Sequence, residues 1–265
     1  MSRAGTAGLE AGVRQAGVGV FPSFQLRRLA RTASTQDVVR AAAARGAPEG
    51  FCCVAGEQTA GRGRSGRRWL AAPNTALLTS LLLRRGQAVA RAVPLVAGLA
   101  LTDALADLAG VSCGLKWPND VVAGPGKLAG ILTEVEPGGG IILGMGVNLT
   151  VDAFPPDVGG VSLDRLAGAV YHWDAVLAAL LPELGRRLRQ VEEDGIRSLR
   201  DDWTGRAAGL GRPVRAEVGT AIVEGTAVGI DDEGALLVAT DHGQVRLVAG
   251  EVHLLPPGDG SSSKG

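Results

Sequence analysis

Two lysines are candidates for chemistry, because this chain makes almost every basic side chain an arginine. It has 24 arginines and three lysines: Lys116 and Lys127 lie eleven residues apart, and Lys264 is near the C-terminus. A guanidinium is a planar fork and an ammonium is a compact point charge, so the two cannot always replace each other. The placement of Lys116 and Lys127 therefore suggests a site that needs point charges, with chance as the alternative.

Four arginines fall within residues 62–68, inside a glycine-rich segment that reads GRGRSGRRW from 61 to 69. The segment formally matches GxGxxG, but a dinucleotide fingerprint needs a following helix and an acidic residue about twenty positions later. Positions 84 and 85 are arginine here, which excludes that interpretation. Two interpretations remain: a solvated basic loop, or a clamp whose backbone amides and guanidinium groups hold an anion. Trp69 would then lie in the core or stack on a flat base.

Three further segments combine polar side chains with strand ends. They are KWPND at 116–120, KLAGIL at 127–132 and GMGVN at 144–148. Lys116 follows an apolar stretch, where an ammonium is costly unless an anion pairs with it. Pro118, Asn119 and Asp120 also suit a purely structural turn. Gly126-Lys127 lacks the spacing and the following Ser or Thr of a Walker loop.

Hydrophobic patterning predicts alternating helices and strands before residue 205. Ser34 and Thr35 precede a helical run that Gly46 ends, as a helix cap and a glycine stop would. The Pro-Gly-Gly-Gly turn at 137–140 predicts a hairpin. The predicted helices are 36–45, 88–109 and 173–191; the predicted strands are 51–55, 76–83, 115–117, 128–135 and 141–147, with a loop at 56–68.

Beyond residue 205 the pattern changes to short strands separated by turns. Four or five strands within about fifty residues indicate a small barrel. We therefore expect a poorly structured leader at 1–25, a catalytic domain at 26–204, the small barrel at 205–256 and a flexible tail at 257–265.

Composition excludes several classes of protein. The chain has 265 residues, 46% of them hydrophobic, which is enough to build a core and excludes wholesale disorder. Its 27 basic and 27 acidic side chains cancel, which argues against binding nucleic acid or membrane by bulk charge. Three cysteines without a CxxC or Cys/His cluster indicate neither a disulfide framework nor structural zinc. The N-terminal residues lack the apolar core of a signal peptide, so we expect a cytoplasmic protein.

The motifs, taken in order, resemble the biotin–protein ligase (biotin–[acetyl-CoA-carboxylase] ligase) family. They are Ser34-Thr35-Gln36, the segment 58–69, KWPND, KLAGIL and GMGVN, and the resemblance spans about residues 30–150. It implies an α+β fold: a mixed β-sheet with flanking helices, similar to class II aminoacyl-tRNA synthetases and lipoate ligases, followed by an SH3-like small β-barrel. Only about thirty residues precede Ser34, so we expect a monofunctional enzyme without the winged-helix DNA-binding domain of some members. Gln36 stands where the family often has Asn.

The resemblance also implies the reaction and the residues that serve it. Biotin and ATP are the substrates, Mg²⁺ accompanies ATP, and no fixed metal site on the protein is expected. The implied catalytic residues are Lys127, Arg62 and Lys116. The implied biotin-binding residues are Ser34, Thr35, Gln36, Gln58, Arg62, Gly63, Arg64, Lys127 and Gly130. The implied ATP- or adenylate-binding residues are Arg64, Arg67, Trp69, Lys116, Asn119, Lys127 and Asn148.

The same resemblance implies the partner. The acceptor would be a lysine of a biotin carboxyl carrier protein or domain, belonging to an acyl-CoA or pyruvate carboxylase. We expect neither a DNA nor a membrane partner, and a monomer or a weak homodimer.

Two alternatives remain at this point. A lipoate or octanoyl ligase of the same superfamily would share the fold but not the KWPND and KLAGIL pair. An RNA-binding module would explain an Arg-Gly loop beside an SH3-like barrel. Zero net charge and the lack of interleaved aromatic residues weigh against it.

Overall fold

The computed structural model describes residues 24–124, 126–154 and 159–255. Of the predicted leader, only residues 24 and 25 are described, and the predicted tail lies wholly outside the described residues. The division into domains at these boundaries stays a prediction.

A seven-stranded mixed sheet forms the larger part of the fold. Its strands in chain order are β1 (Gln25–Thr32), β2 (Phe51–Gln58), β3 (Ala76–Leu83), β4 (Gly114–Lys116), β5 (Asp120–Ala123), β6 (Gly126–Val135) and β7 (Ile141–Asn148). In space they run β1-β2-β3-β7-β6-β5-β4. The β1–β2 pair is parallel and the other neighbours are antiparallel, so the predicted mixed sheet is confirmed.

Helices cover both faces of this sheet. They are α1 (Thr35–Ala44), α2 (Gln87–Ala109), α3 (Leu163–Ala167), α4 (Trp173–Asp194) and α5 (Arg200–Arg206). Successive strand residues point to opposite faces of a sheet. Cys52 packs in the large core with α2 and α4, whereas Cys53 packs in a small cluster with Val39 of α1. All eight residues of β3 are buried for this reason. A strand covered on both faces reads as a continuous apolar run, as 76–83 does.

Helix α2 is the central core helix. Its segment Val89–Ala109 has the length and hydropathy of a membrane span, yet 67% of the most apolar window is buried within the fold. The helix packs against α4, and these contacts account for its apolar composition. The predicted cytoplasmic location stays a prediction.

The C-terminal part is a five-stranded antiparallel sheet, which agrees with the small barrel that the pattern predicts and with the SH3-like domain that the resemblance implies. Its strands are β8 (Pro213–Val218), β9 (Ala221–Ile230), β10 (Leu236–Thr240), β11 (Gly243–Leu247) and β12 (Glu251–Leu254). Their order is β11-β10-β9-β8-β12, so the last strand returns beside the first. The Trp117 indole N–H donates to the Gly234 carbonyl at 3.1 Å, which attaches this sheet to the larger one.

Several elements differ from the sequence prediction. Strand β1 was missed because its exposed positions carry three arginines, which hide the alternation. The predicted loop at 56–68 begins three residues later, at residue 59, because β2 continues to Gln58. Residues 120–123 pair with β4 across the Pro118 turn as β5. The short helices α3 and α5 were also missed.

Candidate active site

One cavity of about 730 Å³ gathers every residue that the sequence singled out. It lies between α1, the arginine-rich segment, the sheet and the C-terminal unit. The predicted site residues that line it are Ser34, Thr35, Gln36, Gln58, Arg62, Gly63, Arg64, Arg67, Trp69, Lys116, Asn119, Lys127, Gly130 and Asn148. The five motif segments therefore line a common cavity, although about a hundred residues of chain separate some of them.

The start of α1 and the end of β2 form one wall. Ser34 caps the helix by its backbone alone, without a side-chain hydrogen bond, so its hydroxyl is not used for capping. The Gln58 side-chain amide oxygen, Oε1, accepts from the Thr35 backbone N–H at 2.7 Å and from the Thr35 hydroxyl at 3.0 Å. The Thr35 hydroxyl also lies 2.7 Å from the Ser80 hydroxyl. These bonds fix a buried row of donors and acceptors in one orientation.

Gln36 lies deeper on the same wall. Its amide nitrogen donates to the Leu132 carbonyl at 3.1 Å, which crosses from α1 to β6. A Cβ at Gly144 would come within 3.0 Å of this nitrogen, so the glycine of β7 provides the room that the longer glutamine arm needs.

The arginine-rich segment is a tight hairpin. The Gly63 backbone N–H donates to the Arg67 carbonyl at 2.8 Å, and the Trp69 N–H donates to the Gly61 carbonyl at 3.0 Å. The Arg67 N–H donates to the Arg64 carbonyl at 3.0 Å. The two residues at the tip have positive φ, 54° at Ser65 and 73° at Gly66. Positive φ at both central positions is the requirement of a type I′ turn. With Arg62 paired antiparallel to Arg68, the segment is a tight β-hairpin, which we call the arginine hairpin (residues 61–69).

Two of the arginines of this hairpin already have carboxylate partners. Arg62 forms a bidentate pair with Asp37 at 2.9 and 2.8 Å, and Arg67 lies 2.7 Å from Glu251. Arg64 differs: its guanidinium donates to the Asn119 amide oxygen at 3.3 Å and to the Gly250 carbonyl at 3.2 Å. It forms no ion pair with any carboxylate in the described ranges, and burial lowers its pKa. A half-buried guanidinium whose hydrogen-bond partners are neutral oxygens is suited to bind an anion.

Lys127 lies on the floor of the cavity. Its Nζ is 2.6 Å from Asp120 Oδ1 and 5.7 Å from the centre of the Trp69 ring. Trp69 lies flat over β7, where a Cβ at Gly146 would fall 2.4 Å from its Cε2. The indole nitrogen of Trp69 is buried and has no partner within the structure described. The ring and the ammonium thus share a floor made of glycine backbone.

The two asparagines hold backbone around the lysine. The Asn119 amide nitrogen donates to the Ile131 carbonyl at 2.7 Å, and that of Asn148 donates to the Lys127 carbonyl at 3.1 Å. Asn148 is buried at the end of β7 and reaches the Val161 carbonyl as well. Their nitrogens therefore fix β6 in position.

The cavity is strongly positive although the whole chain is neutral. Its described lining has one acidic residue, Asp120, and seven basic residues: Arg62, Arg64, Arg67, Arg68, Lys116, Lys127 and Arg212. Lys116 has no carboxylate partner among the residues that the structure describes. Such a lining can concentrate and bind a polyanion.

Sequence reasoning missed some lining residues. Arg212, His253 and Leu254 reach the cavity from the C-terminal unit, and Ser80 reaches it from β3. No local motif marks Arg212 or Ser80, because only the folded arrangement brings them to the site. Asp120 is the last residue of KWPND, and sequence reasoning could have proposed it as the ion-pair partner of Lys127.

The cysteines are free thiols that burial keeps protonated. Burial raises the pKa of Cys52 to about 11 and that of Cys53 to about 12. No group of three His, Cys, Asp or Glu side chains in the described ranges is placed to hold a metal ion.

Comparisons with known proteins agree with this geometry. Residues 29–152 match the biotin/lipoate A/B protein ligase family, and residues 209–255 match the biotin protein ligase C-terminal domain. A biotin–[acetyl-CoA-carboxylase] ligase of Paracoccus denitrificans is 38% identical over 218 residues, covering 75% of this chain and 88% of that protein. One of Mycobacterium tuberculosis is 38% identical over 237 residues, covering 86% and 88%.

A solved structure has a similar fold. The biotin protein ligase of Aquifex aeolicus, in complex with biotin and ATP, superposes with a TM-score of 0.77 at 28% identity, covering 87% of this chain and 98% of that one. With the two family matches and these relatives, the chain belongs to the biotin protein ligase family.

Proposed function

We propose that this protein is a biotin–protein ligase that joins biotin to a lysine of a carrier protein in two steps. In the first, a biotin carboxylate oxygen attacks the α-phosphorus of ATP, and pyrophosphate leaves. In the second, the carrier amine attacks the acyl carbon, AMP leaves and the amine releases a proton to solvent. The observation that carries the proposal is the single cation-lined cavity in which all the motif segments meet.

The biotin ring system fits the α1 wall. Its ureido group needs both donors and acceptors, and Ser34, Thr35, Gln36 and Gln58 present hydroxyl and amide groups there. Gly130 gives the ligand access to the backbone of β6. Biotin bound this way would direct its carboxylate toward Lys127.

The nucleotide fits the floor and the positive wall. Trp69 offers a ring face, and Asn119 and Asn148 line the same cavity with amide oxygens. Lys116, Arg64 and Arg67 would bind the phosphates, with Arg62 and Gly63 closing the hairpin over the acyl-phosphate. Arg212, from the C-terminal unit, adds a further cation at this end.

Lys127 is the proposed catalytic group. An ammonium already held by Asp120 can stabilise the charge that develops between carboxylate and phosphate without moving first. Lys116 would assist by holding the phosphate, and Arg62 would assist by holding the hairpin. The chemistry needs no nucleophile from the protein.

Mg²⁺ would enter with ATP, its charge offsetting that of the phosphates. Since the described residues contain no acidic or histidine cluster able to hold a metal ion, phosphate oxygens would be its ligands. Asp120, the one described acidic residue of the lining, is already paired with Lys127.

The proposed acceptor is a biotin carboxyl carrier domain of an acyl-CoA or pyruvate carboxylase. Relatives of this chain are ligases for the acetyl-CoA carboxylase carrier, which supports this class of partner. A monomer or weak homodimer, and the absence of a DNA or membrane partner, stay predictions.

One assay tests the function. Purified protein, ATP, Mg²⁺ and biotin are incubated with an isolated carrier domain, and its mass is followed. A gain of one biotinyl group that requires both ATP and biotin is expected. Labelling by lipoate but not by biotin would assign the chain to the lipoate branch, and no labelling by either would refute the proposal.

A further inference from the structure

Five charged side chains join the arginine hairpin to α1 and β6. Asp37 accepts two hydrogen bonds from Arg62, and Glu134 lies 3.7 Å from the same guanidinium. Arg40 lies between the acids, 2.7 Å from Asp37, 2.6 Å from Glu134 and 3.0 Å from Glu136. The network thus connects the hairpin stem with two elements that form the walls of the cavity.

The two ends of this network lie in different places. Arg62 lines the cavity, whereas Asp37 is outside its lining, on the outer side of the first turn of α1. Asp37 directly follows Thr35 and Gln36, which do line the cavity. Any effect of Asp37 on a bound ligand must therefore pass through Arg62 or through the start of α1.

We propose that Asp37 is a positioning residue that, by holding Arg62, keeps the arginine hairpin closed over the biotin side of the cavity and retains the acyl-adenylate. This inference rests on the proposed function. The forked face of Arg62 is filled by the two Asp37 oxygens, so the Arg62 side chain serves to anchor the hairpin. The neighbouring Gly63 backbone and Arg64 are thereby presented to the ligand.

The charges of the network suit a contact that holds in the absence of ligand. Two guanidinium groups face three carboxylates, so each arginine has more than one partner. The hydrogen bonds from Arg62 hold the pKa of the Asp37 carboxyl below its usual range, which keeps it ionised at neutral pH. Asp37 is 47% exposed and Arg62 35%, so water competes for both groups and the contact can open to admit substrate.

The test compares Asp37→Asn with the wild-type protein. The asparagine keeps the shape but removes the charge and one of the two acceptors. Since exposed ion pairs contribute little each, we expect a change of about fivefold in two quantities. The KM for biotin rises, and pre-formed biotinyl-adenylate leaves the protein faster. The KM for ATP stays close to the wild-type value, and the unfolding midpoint falls only slightly, as expected for the loss of one exposed ion pair.

A double-mutant cycle tests whether Asp37 acts through Arg62. If it does, the double variant Asp37→Asn with Arg62→Gln has the same KM for biotin and the same rate of adenylate dissociation as Arg62→Gln alone. Additive effects of the two changes would overturn the proposal. A fall in the unfolding midpoint large enough to account for the lost biotin affinity and adenylate retention would also overturn it, because Asp37 would then be merely structural. Asp37→Glu, which retains the carboxylate, should recover most of the biotin affinity.

Two controls complete the experiment. Asp232→Asn removes the same charge from an exposed pair with Arg200, 3.0 Å apart and in another part of the fold, and should change neither quantity. Wild-type protein must form the adenylate from biotin and ATP. If it does not, the proposed function fails; if it does and Asp37→Asn retains the adenylate equally well, only the role of Asp37 is refuted.

Discussion

Lys127 and Asp120 form an ion pair across neighbouring strands, with Nζ 2.6 Å from Oδ1. Asp120 begins β5 and Lys127 is the second residue of β6, so the sheet itself fixes the separation of their backbones. The ammonium is therefore held over the cavity floor before any ligand binds. A group fixed in advance stabilises developing charge better than one that must reorganise.

Replacing Lys127 by alanine should slow adenylate formation about a hundredfold, close to ~2.7 kcal/mol, the cost of losing one preorganised stabilising group. Lys127→Arg should also be impaired, because the planar fork does not fit a point-charge position beside Asp120 and Trp69. Biotin-dependent pyrophosphate release measures both variants. Lys264→Ala, in the predicted tail, is the control, and near-normal release by Lys127→Ala would contradict the assignment.

Arg64→Ala should weaken adenylate retention by about tenfold to a hundredfold, since a hydrogen bond to a charged partner contributes roughly 1.5–3 kcal/mol. The reason is that Arg64, unlike Arg62 and Arg67, has only neutral oxygens as partners in the described structure. Dissociation of labelled biotinyl-adenylate measures the effect. Arg200→Ala, whose partner Asp232 is exposed, is the matched control. Equal dissociation rates for both variants would show that Arg64 meets no anion.

Gly146→Ala should displace Trp69. The added Cβ would fall 2.4 Å from Trp69 Cε2, too close for any real contact, so the ring must move. Overpacking of this kind costs about 1–3 kcal/mol, and here the cost should appear as weaker ATP binding. ATP titration followed by tryptophan fluorescence is the measurement. Gly138→Ala, where a Cβ meets nothing within 4 Å, is the control and should bind ATP normally.

Acid should destabilise the fold through its paired aspartates. Hydrogen bonds from Arg62 and Arg187 lower the pKa values of Asp37 and Asp202 below the usual 3.8, and bonds from Arg246 and nearby backbone do so for Asp231. The unfolded chain then binds more protons, so this stability is fully present above pH 3.8 and is lost as pH falls through the folded-state values.

Denaturant unfolding at a series of pH values below about 5 measures this loss. Asp202→Asn should flatten the curve of unfolding free energy against pH, because it removes one of the two carboxylate partners of the buried Arg187 and one carboxyl with a lowered pKa. Asp232→Asn should leave the slope of unfolding free energy against pH unchanged. A free energy of unfolding that does not fall in acid would contradict the prediction.

Much of the fold was predictable from local pattern. The apolar run 76–83 and the helix 88–109 appear almost as predicted, because burial on both faces and a continuous apolar surface leave a strong signal along the chain. Strand β1 could not be predicted this way, since an edge strand with exposed arginines carries little alternation. The Ser65-Gly66 pair had a signal that could have been used, because glycine at such a position suits a type I′ turn.

The sequence by itself predicted which motif side chains line one cavity, because the motifs keep their residue types and order within short stretches of chain. The tertiary structure decided which of those side chains remain available to a ligand. Arg62 reaches Asp37 across 25 residues, and Arg64 reaches Gly250 across 186. Such partners depend on strand register and on how the C-terminal sheet packs. Both are determined by many weak non-local contacts together. No local pattern records them, so three arginines of one hairpin that look equivalent in the sequence have three different surroundings in the fold.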